Sequence, residues 1–207
     1  MCVFLLAGKT SLVKRLVQYR DEIFTERMQH IIYCYGETPG DIGEINTDIE
    51  LFKGLPSEDE LSAWISNYKH QPWLLILDDL SQDFYNSPIG SEICTKLSHH
   101  YSASIILISH SLYGAKSRLI NLNMHNFFLL PSSRGLDSLG CFSRQCLGKG
   151  LSNSFVDSFL DATDKKGSGE KPPYLLVTLH PLYSNRQCLL FSNVLPDEHP
   201  MVTYKKV

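Results

Sequence analysis

WLLILDDL, residues Trp73 to Leu80, sets five apolar residues directly against two acids. Pro72 stops the pattern before it, and an uninterrupted apolar run of this length reads as a strand buried on both faces, the kind a parallel sheet contains. Similar short runs recur on either side: CVFLL (Cys2 to Leu6), HIIYCYG (His30 to Gly36), ASIILIS (Ala103 to Ser109) and HNFFLL (His125 to Leu130), the last ended by Pro131. Amphipathic stretches separate them. From Thr10 onward, Leu12, Val13, Leu16 and Val17 share one helical face, and Ser57 with Glu60 forms a capping box ahead of Leu61, Trp64, Ile65 and Tyr68. Further helices are expected over Ser91 to His100 and over Leu151 to Thr163, the second with Phe155, Phe159 and Leu160 facing inward. Strands alternating with helices predict an α/β fold, a mainly parallel sheet with flanking helices. YLLVTLH (Tyr174 to His180) and QCLLFS (Gln187 to Ser192) predict an antiparallel pair at the C-terminal end. A flexible loop rich in Gly, Pro and charge is expected before them, at about 164–173, and a polar tail after them.

A chain of 207 residues predicts a single domain, 1–207. With 43% hydrophobic and 20% charged residues it excludes a disordered or collagen-like chain. The net charge of −3 excludes a broadly basic surface, so any contact with nucleic acid must come from a local patch or from several subunits. The six cysteines form no CxxC pair, and a chain of this length needs no disulfide framework, which fits a reducing, intracellular setting, cytoplasmic or nuclear. No apolar run approaches the roughly 18 residues of a membrane span. CVFLLA at the start lacks a basic leader and reads as a strand rather than a secretion signal.

Gly8-Lys9-Thr10 follows the first strand and opens the first helix. That is the context of a P-loop, in which backbone N–H groups at a helix N-terminus surround phosphate oxygens. Gly8, Lys9, Thr10 and Ser11 are therefore the candidate nucleotide-binding residues. Lys9 would reach the β- and γ-phosphates, and the Thr10 hydroxyl would hold Mg²⁺. The full G-x-x-x-x-G-K-[ST] pattern is broken, because Val3 stands where its first glycine belongs. The plain alternative is a strand-to-helix turn with a surface lysine. The acids at the end of LLILDDL form a Walker B arrangement: Asp78 is the candidate metal-holding carboxylate and Asp79 the candidate general base. In P-loop ATPases of the ASCE type, which insert a strand between the two Walker strands, a polar side chain after the next strand senses the γ-phosphate or the attacking water. Ser109 and His110 hold that place here. A neutral His110 can hydrogen-bond water; a solvated histidine at a strand end is the alternative.

The order of blocks resembles the DNA-packaging ATPases of large DNA viruses and of Polinton (Maverick) transposons, in the FtsK–HerA branch of P-loop ATPases. The likeness rests on GKTSLVKRLV (Gly8 to Val17), IIYCYGE (Ile31 to Glu37), GLP (Gly54 to Pro56), LLILDDL, TKLSHHYSASIILISHSLYG (Thr95 to Gly114), LNMHNFFLLPSSRG (Leu122 to Gly135) and PPYLLVTLHP (Pro172 to Pro181). It spans nearly the whole chain. The resemblance implies an ATP- and Mg²⁺-dependent enzyme that moves double-stranded DNA as a homo-oligomeric ring. It implies Lys9 and Thr10 at the phosphate and metal, Asp78 and Asp79 as the acids, and His110 where the family usually has Gln. It also implies Arg134 as an arginine finger acting across a subunit boundary, with Arg118 as its rival. The broken glycine loop makes the start read as a decayed or incomplete copy of a mobile-element gene, so a fold-keeping relic that binds little or no nucleotide is the alternative. A small nucleotide kinase is a lesser one, because the loop at 164–173 carries lysines and no arginine. An AAA-type remodelling ATPase is disfavoured, because the C-terminal part reads as strands.

Other clusters carry less. Cys94, His99 and His100 suggest no zinc site, since adjacent histidines do not face one ion from a helix, and the spacing of Cys141 and Cys146 does not fit one either. Lys14, Arg15, Lys165, Lys166, Lys171, Lys205 and Lys206 are scattered basic residues that would line a DNA channel in a ring or simply face solvent.

Overall fold

The computed structural model describes residues 2–4, 8–39, 42, 48–97, 101–111, 122–131, 136–148, 152–164, 171–179 and 189–204. The strands are β1 (Cys2–Phe4), β2 (His30–Tyr35), β3 (Ile49–Lys53), β4 (Trp73–Asp78), β5 (Ala103–Ser109), β6 (Asn126–Leu129), β7 (Leu175–Thr178), β8 (Leu189–Ser192) and β9 (Val202–Tyr204). They lie in one sheet in the order β3-β2-β4-β5-β1-β6-β7-β8-β9. The strands from β3 to β6 in that order pair parallel; β6 to β9 pair antiparallel. The α/β class, with a parallel part and an antiparallel C-terminal part, is thus as the apolar runs predict.

Alternation along the strands separates two cores. Leu74 and Ile76 of β4 join Ile31 and Tyr33 of β2, Ile106 and Ile108 of β5 and Phe128 of β6 on one face. Helix α1 (Lys9–Gln18) covers that face with Leu12, Val13, Leu16 and Val17, all fully buried. Trp73, Leu75 and Leu77 belong to the opposite face, covered by α3 (Glu58–Tyr68), α4 (Ser81–Asn86), α5 (Pro88–Glu92), a π-helical turn (Ile93–Leu97), α6 (Leu136–Leu147) and α7 (Ser152–Ala162). A short helix, α2 (Arg20–Ile23), follows α1. Each fully buried Leu or Ile contributes roughly 1.5–3 kcal/mol, so the five buried apolar residues of Trp73–Leu77 form a major part of what holds the sheet. The indole N–H of Trp73 donates to Tyr101 O at 3.1 Å, which satisfies its one polar atom.

The capping box forms as its sequence predicts: Ser57 Oγ accepts from Glu60 N, and Glu60 Oε2 accepts from Ser57 N at 2.8 Å. Several expectations need correction. The helical stretch expected over Ser91 to His100 is present through residue 97, but it begins earlier, with α5 at Pro88, and continues as the π-helical turn; 98–100 lie outside the described residues. Leu160 is half exposed, because only Phe155 and Phe159 of α7 reach the core. The expected polar tail contains β9, which pairs with β8. Of the loop expected at 164–173, residues 165–170 lie outside the described residues, whereas Lys171 is anchored to Asp197. Strand β3 has mostly exposed side chains and so lacks the apolar run that marks the others.

Candidate active site

Parallel pairing brings the carboxyl ends of β2, β4 and β5 to one edge. In the register, Tyr35 lies beside Asp78 and Asp78 beside Ile108. Helix α1 begins at Lys9 after β1, the strand that pairs with both β5 and β6. Ligands in open α/β sheets bind at this edge.

Gly8 caps α1 in the left-handed region, at φ 88°, and has no side chain to accept from the first-turn N–H groups. The first intrahelical bond runs from Leu12 N to Gly8 O, at 2.9 Å. A side chain at position 8 would collide with its surroundings, since a Cβ there would lie 2.6 Å from Pro172 Cβ and 3.7 Å from Leu130 Cδ2. Gly8→Ala is therefore expected to lower unfolding free energy by about 1–3 kcal/mol, through left-handed strain and displacement of Pro172, measurable by denaturant titration.

Lys9 points back into the edge and is only 9% exposed. Its Nζ lies 2.9 Å from Nδ1 and 3.0 Å from Nε2 of His110, and His110 Nε2 lies 3.4 Å from Asp79 Oδ1. His110 thus stands between Lys9 and Asp79, and the tautomer of its ring decides which nitrogen donates and which accepts. Burial pulls the Lys9 pKa below its ordinary value, and the charges of Asp78 and Asp79, acting in the opposite direction, do not cancel it. A desolvated ammonium of this kind gains from any further anion that approaches it.

Asp78 ends β4 on the α1 face, where its Oδ2 accepts a hydrogen bond from the Tyr33 hydroxyl. Burial and then this bond to a carboxylate raise the Tyr33 pKa, so the phenol stays protonated and donates. Asp79 follows in the left-handed region, at φ 57°, with its side chain 62% exposed. Aspartate tolerates that conformation better than most residues but still stores strain of order 1–3 kcal/mol, as functional turns commonly do. Gly36 makes room for the turn. Its N–H donates to Asp78 O, and a Cβ there would lie 3.1 Å from Asp79 O.

Ser109, the other candidate at the end of β5, is buried and committed locally: its Oγ donates to Ser111 O and accepts from Ser111 N. That turn leaves His110 as the side chain in the cluster. Thr10 is half-buried and Ser11 exposed in the first turn of α1. Arg134 and Arg118 lie outside the described residues, as do His99, His100, Lys165, Lys166, Lys205 and Lys206. Cys141 is free and exposed, and among the described residues no cluster of three or more Cys, His, Asp or Glu forms a metal site. A Mg²⁺ bound beside a triphosphate would need only one or two protein oxygens, because phosphates and water fill the rest.

Sequence reasoning missed Tyr33, although a tyrosine inside an apolar run demands a partner for its hydroxyl. It also missed a second polar cluster on the far side of α1. Arg15 donates through Nη1 to Glu198 Oε1 at 2.6 Å and through Nη2 to Asp197 Oδ1 at 2.5 Å. Glu198 Oε2 accepts from Tyr174 OH at 2.6 Å and from Leu195 N at 3.1 Å. Lys171 pairs with Asp197 Oδ2 at 3.0 Å. Nothing in the local sequence links residue 15 to residues 171–198.

No protein-family model matches this sequence, and a search of curated proteins finds no significant match.

Proposed function

We infer that this chain is a P-loop ATPase-type domain of the ASCE kind that binds Mg·ATP through Gly8, Lys9, Thr10 and Ser11, with Asp78 on the metal and Asp79 as general base. The observation that carries this reading is the convergence of Lys9, Asp78, Asp79 and His110 at one sheet edge, from segments about 70 and 100 positions apart in the chain. The position of β5 between β1 and β4 supports it further, since a strand lies there between the two Walker strands in ASCE folds. Lys9 would turn from His110 to the phosphates, releasing the imidazole to orient water beside Asp79. Through the resemblance, the reaction would drive double-stranded DNA through a homo-oligomeric ring, with Arg134 supplied in trans.

One observation favours the relic reading. Pro172 packs against Gly8, where a longer loop would leave open space. Isothermal titration of the whole protein with ATP, with and without Mg²⁺, separates the two readings. The ATPase reading expects saturable, Mg²⁺-dependent binding at one site per chain and slow phosphate release. Absence of heat at millimolar ATP would leave the relic.

A further inference from the structure

We propose that Lys171–Pro173 is a strap closed over Gly8, the N-cap of α1, and latched by the chain Lys171–Asp197–Arg15, so that an anionic ligand engages the Gly8 turn only when the strap is released. The proposal rests on the nucleotide reading for its ligand but not for its geometry.

Pro172 approaches Gly8 so closely that only a glycine fits, and Lys9 beside it is buried. Lys171 holds the strap in place through Asp197, at both the carboxylate and the backbone oxygen, the latter at 2.5 Å. Asp197 is in turn held by Arg15, which projects from α1 itself. The helix whose N-terminus is covered thus carries one end of the clasp. Burial opposes the charge on Asp197, but hydrogen bonds from Lys171 and Arg15 and their positive charges outweigh it and hold its carboxyl below the usual range. The two halves of the clasp differ in depth. Arg15 and Glu198 are 13% and 7% exposed, a permanent joint, while Lys171 is 44% exposed and its pair with Asp197 is the weak link. An exposed pair of this kind shifts an equilibrium only a few-fold, as a latch must if it is to open. A cleft of about 420 Å³, lined by Asp164, Lys171, Pro172, Asp197, His199 and Tyr204, adjoins the strap and gives it space to move into.

The test compares the full chain with Lys171→Ala and Pro172→Gly, by amide hydrogen exchange and by Mg·ATP titration. Exchange at Leu12, whose N–H donates to Gly8 O, should quicken about 2–5-fold in Lys171→Ala and about tenfold in Pro172→Gly, with β4 and β5 unchanged. Apparent ATP affinity should rise by similar factors, because a closed fraction no longer competes. Unchanged exchange at Leu12 in both variants would overturn the strap, and so would weaker ATP binding, which would make the segment part of the site. If no variant binds ATP, the nucleotide reading fails and the exchange rates alone decide the strap.

Discussion

Replacing Lys9 with alanine is expected to weaken Mg·ATP binding about 10–150-fold and to remove measurable turnover, while Asp79→Asn leaves affinity within about 3-fold and lowers turnover about 10²–10⁴-fold. The first range follows from one charge-assisted contact of ~1.5–3 kcal/mol, the second from the usual contribution of a positioned base. The contrast is the informative part, because Lys9 would hold the ground-state phosphates whereas Asp79 would act only as water attacks. Neither change should unfold the protein. Lys9 is already penalised by burial, and Asp79 is mostly exposed, so the contact between them through His110 contributes little to stability. Calorimetry, phosphate release and thermal melting on the same samples check all three statements. Equal loss of affinity in both variants, or melting points well below wild type, would mean that the cluster is structural.

The largest stability effect should come from Glu198→Ala. The substitution leaves Arg15 buried without one partner and strips acceptors from Tyr174 OH and Leu195 N. Breaking a buried pair from one side costs about 3–5 kcal/mol, a large share of the 5–15 kcal/mol of a typical domain. The melting temperature should fall by on the order of 10 °C. Glu198→Gln, which keeps an oxygen for Tyr174 and Leu195, should lose distinctly less. A drop below about 1 kcal/mol for the alanine variant would show that the segment carrying Glu198 is not a fixed part of the fold. Because the same joint anchors Asp197, Glu198→Ala should also loosen the strap.

Why some of this was legible in sequence and some was not has a physical basis in range. Strands β2, β4, β5 and β6 announce themselves because both faces of a central parallel strand are buried, which forces continuous apolar runs such as Trp73–Leu77. Helix α3 announces itself because a cap acts over three residues, from Ser57 to Glu60. The edge strand β3 and the terminal β9 do not, because an edge strand buries little and its composition is then free to be polar. The mis-assigned Leu160 shows the limit of helical periodicity: spacing selects a face but not how far the core extends beneath it.

The same distinction holds at the site. The sequence alone supplied the α/β alternation, the turn Gly8-Lys9-Thr10 between strand and helix, and the acid pair after a buried strand, since each is a short segment whose chemistry and periodicity are local. Only the tertiary structure decided that Lys9, His110 and Asp79 meet, that Tyr33 holds Asp78, and that Pro172 lies on Gly8 under an Arg15–Asp197–Lys171 clasp. Those contacts join residues 26 to 182 positions apart. Their existence depends on strand order and register, which pairing across the whole sheet fixes and no local pattern encodes.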